Sequence, residues 1–121
     1  MFPNDSDCLL LEGNHTLVTQ VLWERLNPSA WPFTLNDLPD GCALVGGAVR
    51  DGLLNQLKNK PDLDFVVNSN AIKLAQELSI RLGGNCVILD QGRDIARLVC
   101  EGWTIDFAKQ IGETLRDDLY R

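Results

Sequence analysis

No run of apolar residues in this 121-residue sequence approaches the roughly 18–20 needed to span a bilayer. The N-terminal stretch "MFPNDSDCLLLEG" is acidic, and its longest apolar run is only Leu9 to Leu11. It lacks the features of a secretory signal, so the expected compartment is the cytoplasm. Cysteine is sparse too. Cys8, Cys42, Cys86 and Cys100 form no CxxC pair and no metal-ligand spacing, which points to buried, reduced thiols. Basic residues are outnumbered, 11 Lys and Arg against 17 Asp and Glu, for a net charge of −6. Such a chain does not grip a nucleic acid backbone by itself, and any polynucleotide substrate would need basic surface from elsewhere. The lone histidine, His15, lies in the first helical pattern, far in sequence from the motifs below, and reads as a surface residue. Repeats and low-complexity segments are also missing. What is present is ordinary for one folded domain, 45% hydrophobic and 23% charged.

Residues 1–13 read as a loose leader. Leu17, Val18, Val21, Leu22 and Leu26 then recur at helical spacing until Pro28 stops the pattern. "NPSAWPFTLNDLPDG" holds three prolines and no period, which makes it a connector whose Trp31 and Phe33 dock on the core. "CALVG" is a short buried strand, and "GAVRDGLLNQL" a helix with Val49, Leu53 and Leu57 along one line. "DLDFVV" is the next strand. "NAIKLAQELSIRL" is an amphipathic helix begun by Ser69 or Asn70 and ended at Gly83-Gly84. Three strands, "NCVIL", "IARLVC" and "WTIDFA", are divided by turns at Gly92 and Gly102, and "ETLRDDLYR" closes the chain as a weak helix. This order predicts an α+β domain, a mixed β-sheet flanked by helices. Residues 1–41 form its N-terminal helix and proline-rich connector, and residues 42–121 its main body.

The chemistry concentrates in residues 45–65, "VGGAVRDGLLNQLKNKPDLDF". Glycines at a strand-to-helix junction let backbone N–H groups approach an anion, and the following helix adds unsatisfied donors and a positive dipole end. Gly46 and Gly47 occupy such a junction. Arg50 follows in the first helical turn, where side chains lean back towards the N-terminus. A double glycine alone is equally a bare turn, and Asp51 equally a favourable first-turn acid.

The Asp-Leu-Asp is sharper. On a strand, Asp62, Asp64 and Val66 share one face, while Leu63, Phe65 and Val67 share the core face. Two parallel carboxylates repel unless a cation neutralises them, and hard oxygen pairs of this kind suit Mg²⁺ together with substrate phosphates. By themselves they are equally a pair of solvated acids. In "GWTIDFA", however, Asp106 stands between Ile105 and Phe107 in a core strand, where acids are rare unless paired or metal-bound. If the two strands are neighbours with their apolar faces on one side, Asp106 joins Asp62 and Asp64. Acids around two metals are one solution for in-line phosphoryl transfer.

"LVGGAVRDGLL", "PDLDFVV" and "GWTIDFA" together resemble the catalytic head of the class II tRNA nucleotidyltransferase and bacterial poly(A) polymerase family, within the polymerase β-like nucleotidyltransferases. The resemblance covers residues 42–121. It implies a nucleotidyltransferase head fold and template-free addition of CMP and AMP, from CTP and ATP, to the 3′ end of tRNA. Carried over by position, it implies Asp62, Asp64 and Asp106 as catalytic, Mg²⁺-binding acids, and Gly46, Gly47 and Arg50 as nucleotide-binding residues. The family's usual Leu-Leu-Gly is Leu53-Leu54-Asn55 here, a substitution Asn tolerates in a left-handed turn. The resemblance also implies that the base-selecting motif and the tRNA-gripping helices lie beyond Arg121, so that this chain alone is inactive. Poly(A) polymerase, adding AMP to RNA 3′ ends, shares every visible motif. A nucleotide-binding module without catalysis is the alternative from a different class.

Overall fold

The structure, a computed structural model, describes residues 8–10 and 17–111. In chain order these residues form β1 (Cys8–Leu10), α1 (Leu17–Leu26), β2 (Ala43–Val45), α2 (Gly47–Leu53), β3 (Leu63–Val67), α3 (Ala71–Leu82), β4 (Asn85–Asp90), β5 (Ile95–Cys100) and β6 (Trp103–Lys109). The strands make one sheet in the order β1-β2-β3-β6-β5-β4. Only β3 and β6 run parallel; every other pairing is antiparallel. The expected mixed α+β architecture is the observed one.

Alternation decides which face each strand buries. Leu63, Phe65 and Val67 of β3 and Ile105 and Phe107 of β6 are no more than 1% exposed. They join Ala96 and Leu98 of β5, Leu44 of β2, Val49 of α2 and Leu78 of α3 in a single core cluster. Full burial of side chains of this size contributes about 1.5–3 kcal/mol each. The connector between α1 and β2, folded as two 3₁₀ turns (Pro28–Ala30 and Leu35–Asp37), delivers Trp31 and Phe33 to that core as expected. Phe65 and Phe107 stack at 5.6 Å with an 18° interplanar angle, and Trp31 meets Phe65 edge-on at 5.7 Å. Residues on both sides of position 42 therefore share one core.

Three expectations are corrected. Part of the supposed leader is a strand: Cys8–Leu10 pairs antiparallel with β2, with Leu9 opposite Leu44. Three apolar residues carry no period to betray a strand; the open edge of β2 organises them. Second, α2 ends at Leu53, so Leu57 lies past the helix. Asn55, at φ 55°, takes the left-handed turn. Third, Asn70 begins α3 as expected, but its side chain makes no capping bond. Asn70 is itself left-handed, and the backbone N–H groups of Ala71 and Ile72 both donate to the Asp94 carboxylate at 2.9 Å. The helix is capped by a residue from the β4–β5 turn.

The expected helix stop stands: Gly83 closes α3 in a left-handed conformation. In the β4–β5 hairpin Cys86 lies opposite Leu98. Cys42, Cys86 and Cys100 are free thiols as expected, but only Cys42 and Cys100 are buried and Cys86 is half-buried; burial pushes the Cys42 thiol up to about 12. The "ETLRDDLYR" segment, His15 and the Cys8 side chain lie outside the described residues. Among the described residues no helix is long and apolar enough to cross a membrane.

Candidate active site

The parallel pairing of β3 and β6 sets Asp64 directly beside Asp106, in register. Paired residues on neighbouring strands share a face, so both carboxylates leave the sheet on the side opposite Phe65 and Phe107. Asp62, just before β3, has the same parity and is exposed; Asp64 and Asp106 are partly buried. Burial, reinforced by the neighbouring Asp106 and Asp62 charges, raises Asp64 above the usual carboxylate range, while Arg97 acts in the opposite direction. Ionised acids this close in a partly dry setting repel, and the sheet holds them there.

The glycine junction abuts the same acids. Val45 pairs with Asp64 across β2 and β3, which brings Gly46 alongside it. Gly46 has φ 81° and ψ −145°, a conformation essentially reserved for glycine, and a Cβ there would lie 3.2 Å from Asp64 Oδ2. Arg50 leans back as expected: its Nη2 would lie 3.4 Å from a Cβ on Gly47. Its side chain is 66% exposed, and its ion-pair contact with Asp51 is a loose 3.9 Å. It is available to a ligand. The seven-residue α2 contributes less dipole than a long helix would.

Sequence reasoning missed Arg97. It pairs with Asp106 across β5 and β6, donating from Nε to Oδ1 at 2.8 Å and from Nη2 to Oδ2 at 3.1 Å. The Asp106 carboxylate in turn raises the Arg97 guanidinium further above its ordinary value. The signal was available. In "IARLVC" the residues Ala96, Leu98 and Cys100 are the core set, so Arg97 must face the other way. A two-residue turn at Glu101-Gly102 then sets it opposite Asp106.

Asp62, Asp64 and Asp106 share a face, yet among the described residues no three Asp, Glu, His or Cys side chains are spaced to hold a metal ion. Both Asp106 oxygens are already engaged by Arg97. The donor chemistry nonetheless fits Mg²⁺, which takes one or two carboxylates plus phosphate oxygens, and a cation would relieve the repulsion at Asp64. A cavity of about 430 Å³ is bordered by Pro28, Trp31, Phe33 and Asp37 among others, and another of about 360 Å³ by Arg25, Lys58 and Trp103 among others; neither is lined by the three acids.

Comparison with known proteins extends this description. A family model described as the poly A polymerase head domain matches residues 42–121. A CC-adding tRNA nucleotidyltransferase of Synechocystis sp. is 48% identical over 90 residues, 74% of this chain and 22% of that protein. An A-adding tRNA nucleotidyltransferase of Aquifex aeolicus is 57% identical over 42 residues, 35% of this chain and 5% of that protein. A tRNA-processing enzyme solved with CTP aligns at 39% identity with a TM-score of 0.54, over 62% of this chain and 20% of that one. The nucleotidyltransferase head fold expected from the motifs is therefore the observed fold. The chain spans 22% of the length of the Synechocystis relative and 5% of the Aquifex one.

Proposed function

This chain belongs to the poly A polymerase head domain family, and we propose that it is the catalytic head of a template-independent nucleotidyltransferase acting on the 3′ end of tRNA. The observation that carries the proposal is the in-register pair Asp64–Asp106 beside the Gly46-Gly47 junction, in a chain 48% identical to a CC-adding enzyme over 90 residues. CTP and ATP are the donors. The acceptor 3′ oxygen forms a bond to the α-phosphorus as the bond from that phosphorus to the β-bridging oxygen breaks, releasing pyrophosphate. Backbone N–H groups at Gly46-Gly47 and the Arg50 guanidinium bind the triphosphate. Asp62 and Asp64 would hold Mg²⁺, with Asp106 beside them as the third carboxylate. Bound there, the ion supplies positive charge that favours ionisation of the 3′-hydroxyl and stabilises the departing pyrophosphate. No side-chain nucleophile takes part.

A net charge of −6 supports the reading that segments outside these residues supply the grip on RNA. Addition of AMP to other RNA 3′ ends is the second reading, favoured by the family description itself. We divide the chain into an N-terminal helix and connector over residues 1–41 and a head over residues 42–121; the span of the family match supports the boundary, although both parts pack into one core. A cytoplasmic location accompanies tRNA processing.

A chimera tests the proposal. The whole 121-residue chain replaces the corresponding segment of the Synechocystis enzyme, and CMP incorporation into tRNA lacking its 3′ CC is measured with Mg²⁺ present. Incorporation that disappears in the Asp64→Asn chimera is the expected result. A folded chimera that binds CTP but incorporates nothing would reduce this head to a binding module.

A further inference from the structure

Arg97, Asp106, Asp64 and Val45 stand in one row across β5, β6, β3 and β2, and the row ends at the Gly46-Gly47 junction. Arg97 is thus the cation that the structure places among these acids, and it is bound to one of them by both prongs of its fork. That hold is not deep. The Arg97 side chain is 42% exposed and the Asp106 side chain 23%, so the bidentate pair, strong in its geometry, is still reached by water and open to competition from phosphate oxygens. A guanidinium fork matches phosphate oxygens as well as it matches a carboxylate. Two strand spacings, roughly 10 Å, separate the Arg97 backbone from that of Asp64, a gap that an arginine and an extended triphosphate can close from opposite sides.

We infer that Arg97 is a nucleotide-binding residue that exchanges partners: it holds Asp106 before substrate arrives and turns to the triphosphate when nucleotide and divalent cation bind. The exchange accounts for two observations together. Asp106 lies beside Asp64, yet among the described residues no three acids are spaced to hold a metal. The acid face, which would otherwise repel a triphosphate, carries a fork suited to it. While paired, Arg97 fixes the Asp106 carboxylate in place; once released, it frees both Asp106 oxygens for the cation and adds a positive charge to the nucleotide. The inference rests on the nucleotidyltransferase reading, because it needs a triphosphate at the glycine junction.

Opposed signs test it. Calorimetric titration of the 121-residue chain is carried out with Mg²⁺ alone and, separately, with CTP at saturating Mg²⁺. Arg97→Met removes the competitor for Asp106, so Mg²⁺ alone binds about threefold to tenfold tighter. The same substitution removes a charge-assisted contact to phosphate, so CTP binds about tenfold weaker. Arg97→Lys keeps the charge without the fork, preserves the fold, and falls between parent and Met variant for CTP. Weakening of both ligands together in the Met and Lys variants would show that Arg97 merely positions Asp106 and would overturn the exchange. Unchanged CTP affinity would overturn it equally. Absence of CTP binding by the parent chain would strike the underlying reading, and the inference with it.

Discussion

Strands β3 and β6 carry two surfaces that could hardly differ more. On one, Phe65 and Phe107 stack above Leu63 and Ile105, nearly sealed from solvent. On the other, one residue out of phase, Asp64 and Asp106 stand side by side with Asp62 at the strand entrance. The alternating pleat makes the two surfaces inseparable, since a one-residue slip of either strand would send aromatics to water and acids to the core. The aromatic face therefore has a functional consequence. Packing there offsets the repulsion among the acids and fixes the register that sets Asp64 beside Asp106. The connector joins in, because Trp31 and Phe33 lie on the same aromatic surface, directly behind the acids.

The comparison breaks most completely from the apolar side. Phe107→Ala removes the ring that stacks on Phe65 and meets Phe33 at 6.4 Å, leaving a void in a fully buried layer. Truncations of this kind cost about 3–5 kcal/mol, a large share of a small domain's total stability. Urea denaturation of parent and variant should show the loss as a lower midpoint with little change in slope. A loss below about 1 kcal/mol would mean that the core collapses around the gap and that the aromatic layer does not fix the register.

Gly46→Ala acts on both faces at once. The backbone at φ 81° and ψ −145° strains any residue bearing a Cβ, at about 1–3 kcal/mol, and the added methyl crowds Asp64 Oδ2. Thermal melts should therefore record a lower midpoint, and CTP affinity should fall with it. Gly47→Ala is the control. Its Cβ would meet only the far end of the flexible Arg50 side chain, at 3.4 Å, so stability should stay close to that of the parent. Equal losses in the two variants would show that the junction is merely crowded and that no special backbone geometry is needed at Gly46.

How much of this was legible follows the same division. Alternation announced β3, β5 and β6, their buried faces, and the parity of Asp62, Asp64 and Asp106, because a period of two is a local property of the chain. Features decided by distant partners were not legible. Leu9 pairs with Leu44 only because β2 has an open edge, and α3 is capped by Asp94, more than 20 residues downstream. Arg97 opposite Asp106 was legible from the parity of the β5–β6 hairpin and was overlooked; that its fork takes both oxygens of Asp106 was not legible. Whether three carboxylates draw close enough for a metal is settled by rotamers and neighbours, which alternation does not encode.

The smallest expected effect isolates the acid face. Asp64 is raised above its ordinary value of 3.8, chiefly by burial and then by Asp106 and Asp62. The folded chain therefore binds this proton more tightly than the unfolded chain does, and folding stability falls as pH rises from 3.8 through the raised folded value. Above that window Asp64 is ionised in both states and its folded-state penalty is complete. Asp64→Asn removes the penalty. With divalent cations chelated, the variant should be more stable than the parent at pH 7, by at most about 1 kcal/mol for this partly solvated group. The advantage should fade as pH falls towards 3.8, where the parent's own carboxyl becomes neutral. Added Mg²⁺ should narrow the difference at pH 7, since a cation that binds only the folded parent stabilises it by mass action. Denaturation midpoints at pH 7 and near pH 4, each with chelator and with Mg²⁺, provide the measurement. An Asn variant less stable than the parent at pH 7 in chelator would mean that Arg97, rather than the neighbouring acids, dominates the field at Asp64.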